Sequence, residues 1–268
     1  MPAPNNESQS CVSAPSAIRS TIPENNLMSL YIRPTIEATL HELAHYFVAK
    51  AAEAIAARGR FAVALSGGSS PRQLYELLAS PTYRNQVDWP KVFFFFSDER
   101  NVPRTDPQSN YLMAQTALLA PLNIAGNQAF ALPTELPPAE AAAAYTQEIN
   151  AFFSPKPARF DLVLLGLGDN SHTASLFPHT DVLQATTADV QAVFVPEVDR
   201  YRLTFTAPLI NQARAVAFLV FGTDKAVAVR RVRQGPRNAE EFPAQLISPS
   251  AGEKHWFLDE AAAADLDR

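Results

Sequence analysis

Short, wholly apolar runs that stop at glycine-bearing or polar turns set the tightest limit on how this chain folds. FAVAL (61–65), KVFFFF (91–96), FDLVLLGLG (160–168) and AVAFLVFG (215–222) have no polar alternation, as strands covered on both faces require. Between them lie stretches with apolar residues at helical spacing: 35–58, RQLYELLA after Pro71, YLMAQTALLAPL, PAEAAAAYTQEINAFF and 224–233. VQAVFVPEV and YRLTFTA read as further strands, and HWFLDEAAAADL as a strand with a closing helix. Strands alternating with helices imply βα units, an α/β fold and a mostly parallel sheet. With no internal repeat and no linker, residues 29–268 are expected to form one domain.

The first 28 residues are rich in Pro, Asn and Ser, with neither a basic start nor an apolar stretch. They read as a disordered lead-in rather than a secretory signal. Cys11, the only cysteine, excludes an intramolecular disulfide and suits a reducing, cytoplasmic setting. A net charge of −5 argues against nucleic acid as the main partner, since phosphate backbones demand a basic face. It leaves room for a phosphorylated small molecule bound by a few local cations. No apolar run approaches the ~20 residues of a membrane-spanning helix, so no membrane partner is expected.

Five of the 9 glycines fall at three strand ends: Gly67 and Gly68, Gly166 and Gly168, and Gly222. Ligands of open α/β sheets sit beyond the carboxyl ends of the strands, where glycine lets backbone approach them. The distribution points to one site built from three loops. Ser66-Gly67-Gly68-Ser69 opens a helix directly after a strand, so its amides, hydroxyls and helix dipole suit an anion. It lacks the Gly-Lys-Ser/Thr of a nucleotide loop, and the 166–171 loop lacks the third glycine of a dinucleotide fingerprint.

His172 follows the second glycine loop and reads either as a solvated loop residue or as an acid–base group. Asp98, Glu99 and Arg100 put mixed charge at the end of the polyphenylalanine strand, as a substrate site would. Arg202 and Lys225 flank later strands and read as surface cations or as anion ligands. Arg72, Arg84, Arg230 and Arg231 read as helix surface charges. Ser175 lacks the Gly-x-Ser-x-Gly setting of a hydrolase nucleophile. His41-Glu42-Leu43-Ala44-His45 matches the H-E-x-x-H zinc pattern, but Val48 and Ala51 stand where its longer form needs Gly and His. These residues are taken as a polar helix face, with no metal.

ALSGGSSPRQLYELLA, FFFFSDERNVPRTDPQSNY, LLGLGDNSHTASLFP, YRLTFTAPLINQARAVAFLVFGTDKA and HWFLDEAAA, in this order, resemble the 6-phosphogluconolactonase family over roughly residues 35–263. The resemblance implies a Rossmann-like fold similar to glucosamine-6-phosphate deaminase. It also implies hydrolysis of 6-phosphogluconolactone, the second step of the oxidative pentose phosphate pathway, without metal or organic cofactor, by a monomer or homodimer. The family pattern usually reads Asp-Gly-His where this chain has Asn170-Ser171-His172. Deaminase relatives carry Asn-Gly-His, but follow it with a Phe-Asn-Glu-Pro run whose glutamate assists ring opening. Here Ser175-Leu176-Phe177-Pro178 follows, with no acid before Asp181.

On this reading His172 takes a proton from water and returns one to the ring oxygen, since imidazole titrates near working pH. Asp98 orients the histidine or a sugar hydroxyl. Substrate and phosphate binding fall to Ser66, Gly67, Gly68, Ser69, Gly168, Asn170, Arg202 and Lys225. Arg100 serves either the carbonyl oxygen or a sugar hydroxyl. The rival readings are an isomerase/deaminase of an amino sugar phosphate and a non-catalytic sugar-phosphate sensor.

Overall fold

The computed structural model describes Met1 and residues 28–267. The expectations for the N-terminal tail before Met28, Cys11 included, lie outside the described residues.

A six-stranded parallel sheet forms the centre, in the order β1-β9-β8-β5-β2-β3. Its strands are β1 (Met28–Arg33), β2 (Phe61–Leu65), β3 (Val92–Phe96), β5 (Leu162–Leu165), β8 (Ala215–Val220) and β9 (Glu253–Asp259). Every residue of β2, β5 and β8 is buried, which is why those stretches are continuously apolar. β1 alternates exposed and half-buried residues at the sheet edge. It was not anticipated: the sequence assigned no element between the tail, expected to end at residue 28, and the helix from residue 35.

The longest helix, α1 (Ile36–Arg58), is delimited by local chemistry. Thr35 Oγ1 accepts from the Ala38 amide at 3.1 Å, and Gly59 turns left-handed at φ 74° with its amide on the Ile55 carbonyl. Helices α2 (Ser69–Leu78), α4 (Pro138–Phe153) and α6 (Ala226–Arg233) also pack around the sheets, with short α3 (Asn110–Ala114) and α5 (Ala207–Asn211). The phenylalanines of β3 divide between the two faces. Phe94 stacks on Trp89, whereas Phe93 and Phe95 meet Phe152 of α4, and Phe95 also lies flat on Phe130 at 4.4 Å.

Three expectations are corrected. The polar stretch after β3 contains a short strand, β4 (Asp98–Arg100). It pairs antiparallel with β7 (Arg200–Phe205), and β7 with β6 (Val190–Val195), forming a separate three-stranded sheet. β6 and β7 were expected as further strands of a mostly parallel sheet and β4 was not expected as a strand, because an apolar run does not say which strand it pairs with. The predicted 111–122 helix divides into α3 and a π-helical turn over Gln115–Leu119. Among the described residues no helix follows β9: the alanines after Asp259 form turns, the Ala262 amide capped by the Asp259 carboxylate.

Candidate active site

β8, β5 and β2 are neighbours in the sheet, so the three glycine-bearing loops at their carboxyl ends lie side by side. With the end of β3 and the β4–β7 pair they enclose a cleft of about 410 Å³. Ser66, Gly67, Gly68, Ser69, Asp98, Arg100, Gly168, His172, Arg202 and Lys225 line it. Asn170 stands behind His172 instead, and Glu99 turns away.

The anion-suited end is the start of α2. Gly68 precedes it at φ 105°, and the first amides of the helix have no intrahelical acceptor. The Ser66 amide is already used, donating to the Tyr75 hydroxyl at 2.9 Å while that hydroxyl donates back to the Ser66 carbonyl. Ser66 therefore contributes its side chain at most. Gly67 is glycine because Asn110 occupies the space a Cβ would need. Asn110, which sequence reasoning missed, lines the cleft and donates through Nδ2 to the Asp98 carbonyl and, at 3.3 Å, to its carboxylate.

Two of the cations face each other. Arg100 and Arg202 are direct partners across the β4–β7 ladder, an arrangement that like charges disfavour. The Nε of each is buried without a hydrogen-bond partner among the described residues. Buried guanidinium donors held this way are stabilised by an anion between them. Lys225 is paired with the exposed Asp169 and lies 3.5 Å from Asp224. Exposed pairs of this kind are weak and readily exchanged for a better anion.

His172 is held on three sides. Its ring stacks on Phe177 with centroids 4.0 Å apart, and its Nδ1 lies 2.5 Å from Asn170 Oδ1. That oxygen also accepts from the His172 amide, while Asn170 Nδ2 donates to Glu197 at 3.3 Å. An amide oxygen only accepts, so Nδ1 carries the proton and Nε2 is the free base. Gly168 is required on this loop because a Cβ there would collide with the imidazole. Ser171 takes the left-handed conformation, φ 65°, so the loop keeps the backbone that glycine usually supplies. Burial lowers the His172 pKa to about 4, helped by Lys225 and then Arg202; Asp169 opposes them.

The expected alternative that Asp98 orients this histidine is corrected. Asp98 accepts from Ser175 Oγ at 2.7 Å and from Asn110, and the residue bonded to His172 is Asn170, which had been assigned to substrate. Glu99 is 2% exposed and binds the start of α3, accepting from the Asn110 and Tyr111 amides, Ser109 Oγ and its own neighbour Arg100 N. Burial raises its pKa, against which those amides pull it down. Elsewhere, His41 Nδ1 meets the Tyr83 hydroxyl at 2.8 Å and Glu42 pairs with Arg33, so the H-E-x-x-H residues serve packing around α1.

The sequence model for glucosamine-6-phosphate isomerases/6-phosphogluconolactonase matches residues 34–256. The chain belongs to this family. Among its relatives, the 6-phosphogluconolactonase of Nostoc sp. is 43% identical over 218 residues, 80% of this chain and 88% of that one. That of Treponema pallidum is 38% identical over 192 residues, 71% and 79% of the two chains. The solved 6-phosphogluconolactonase of Trypanosoma brucei superposes with a TM-score of 0.80 at 25% identity, covering 91% of this chain and 100% of that one. A monomeric glucosamine-6-phosphate deaminase shares the family fold, with a TM-score of 0.77 at 19% identity, covering 89% and 100%.

Proposed function

We propose that this protein is a lactonase that hydrolyses 6-phospho-D-glucono-1,5-lactone to 6-phospho-D-gluconate. The observation that carries the reading is one cleft with a neutral, oriented imidazole and a cationic, amide-lined cradle. Membership of the family and the lactonase relatives support the substrate.

His172 Nε2 accepts a proton from water as the water oxygen adds to the lactone carbonyl carbon. The bond from that carbon to the ring oxygen then breaks, and Nε2–H returns the proton to the departing oxygen. The products are a hydroxyl and a carboxylic acid that ionises, releasing one proton per turnover. The phosphate rests on the α2 N-terminus with Arg202 and Lys225, which fixes the reacting carbonyl relative to His172. Arg100 adds positive potential beside them, and Asp98, held by Ser175 and Asn110, accepts from a sugar hydroxyl. The isomerase/deaminase alternative has less support. Among the described residues Asp98 is the only acid lining the cleft, and it is already engaged by two donors. The single cysteine of the sequence fits a cytoplasmic setting for this chemistry.

The test compares proton release from freshly generated 6-phosphogluconolactone and from unphosphorylated gluconolactone. The proposal expects catalysis well above background on the first. It also expects Arg202→Ala or Lys225→Ala to raise KM for the phosphorylated substrate far more than for the other. Ammonia release from glucosamine 6-phosphate, with no effect on the lactone, would overturn it.

A further inference from the structure

A second cavity, of about 200 Å³, lies between the end of α6, the 3₁₀ turn at Pro243–Leu246 and the beginnings of β1 and β9. Arg233, Arg237 and Lys254 line it, with the indole of Trp256, and among the described residues no carboxylate does. Arg233 Nη1 is buried with no hydrogen-bond partner among the described residues. So is Trp256 Nε1, on a side chain only 1% exposed. The Arg233 guanidinium sits over the Trp256 ring at 5.5 Å, which holds it in place without neutralising it. Lys254 Nζ donates to the Ile247 carbonyl at 2.9 Å and has no ion pair among the described residues.

Three cations gathered in a partly buried pocket repel one another, and two buried donors left unused carry a desolvation cost. Burial first, then Arg233 and Arg237, push the Lys254 amine below its ordinary pKa. One small anion would balance the three cations at once. We propose that this cavity is a second anion site, separate from the substrate cleft, that takes inorganic phosphate or a small phosphomonoester. α6 spans about 12 Å between Lys225 and this cavity. Ala244, on the cavity wall, donates its amide to the Ser171 carbonyl at 3.0 Å, next to His172. The site therefore adjoins the supports of the catalytic loop without sharing a residue that lines the cleft.

The test is isothermal titration of the full chain carrying Arg202→Ala and Lys225→Ala, which weaken the cleft. Inorganic phosphate is the first probe and glycerol 3-phosphate the second. A saturable site is expected, weakened about tenfold or more by adding either Arg237→Gln or Lys254→Gln. Binding of both probes assigns the site to phosphomonoesters as well; binding of phosphate alone assigns it to the free ion. Arg237 is exposed, so its variant leaves the core untouched, and Trp256 emission reports occupancy independently. Absence of a saturable site for both probes, or a site indifferent to both added substitutions, would overturn the proposal.

Discussion

The pair formed by Asn170 and His172 sets how this enzyme responds to pH. A carboxylate beside Nδ1 would stabilise the imidazolium; the Asn170 amide fixes the same tautomer and adds no charge. The active form is the neutral base, and its pKa is lowered, so kcat/KM should be lost only as pH falls through about 4. In the proposed binding mode the substrate phosphate would neutralise Lys225 and Arg202, two of the groups that depress that pKa. The corresponding break in kcat should lie at higher pH than in kcat/KM. Asn170→Asp should move both breaks upward, toward the ordinary histidine value of about 6.5. Identical profiles for the two proteins would show that the neighbour does not act on the base. His172 and its glycine loop were legible in the sequence because strand, glycine and histidine follow one another. The role of Asn170 was not, since a side chain two residues from the base can turn toward substrate or back onto the ring.

Among elements, β2, β3, β5 and β8 were readable from continuous apolar runs and α1 and α4 from helical periodicity; the structure follows most of them within two residues, while β5 shrinks to Leu162–Leu165 inside the 160–168 run. The losses were β1, whose alternating edge pattern adjoins a polar tail, and the partnering of β4, β6 and β7, which depends on contacts distant in the sequence. Glu99 illustrates the second kind. Its charge beside Asp98 and Arg100 suggested substrate, yet it is the acceptor that ties β4 to α3. Glu99→Ala should leave buried amides unpaired and cost about 1–3 kcal/mol in chemical denaturation. A change within a few tenths would remove that structural role. In the aromatic layer, Phe95→Ala should cost about 3–5 kcal/mol, because Phe130, Phe152 and Phe160 all pack on that ring. A loss below about 1 kcal/mol would mean the layer collapses around the gap.

For the whole molecule, the central relation is that three loops from neighbouring parallel strands meet the edge of a second, antiparallel sheet. The first set supplies the helix N-terminus, His172 and Lys225, and the second sheet supplies Asp98, Arg100 and Arg202. Neither sheet alone holds both the base and the opposed guanidiniums, so activity depends on their packing as one body. The glycine loops disclosed half of this arrangement in advance; the two-sheet construction appeared only in three dimensions. The most direct measurement is the rate of proton release from freshly generated 6-phosphogluconolactone by the wild-type chain and by His172→Gln. The account predicts a wild-type rate far above the spontaneous one, and a kcat lowered by about 10²–10⁴ in the variant with KM little changed. A His172→Gln protein that turns over the lactone as fast as the wild type would contradict it.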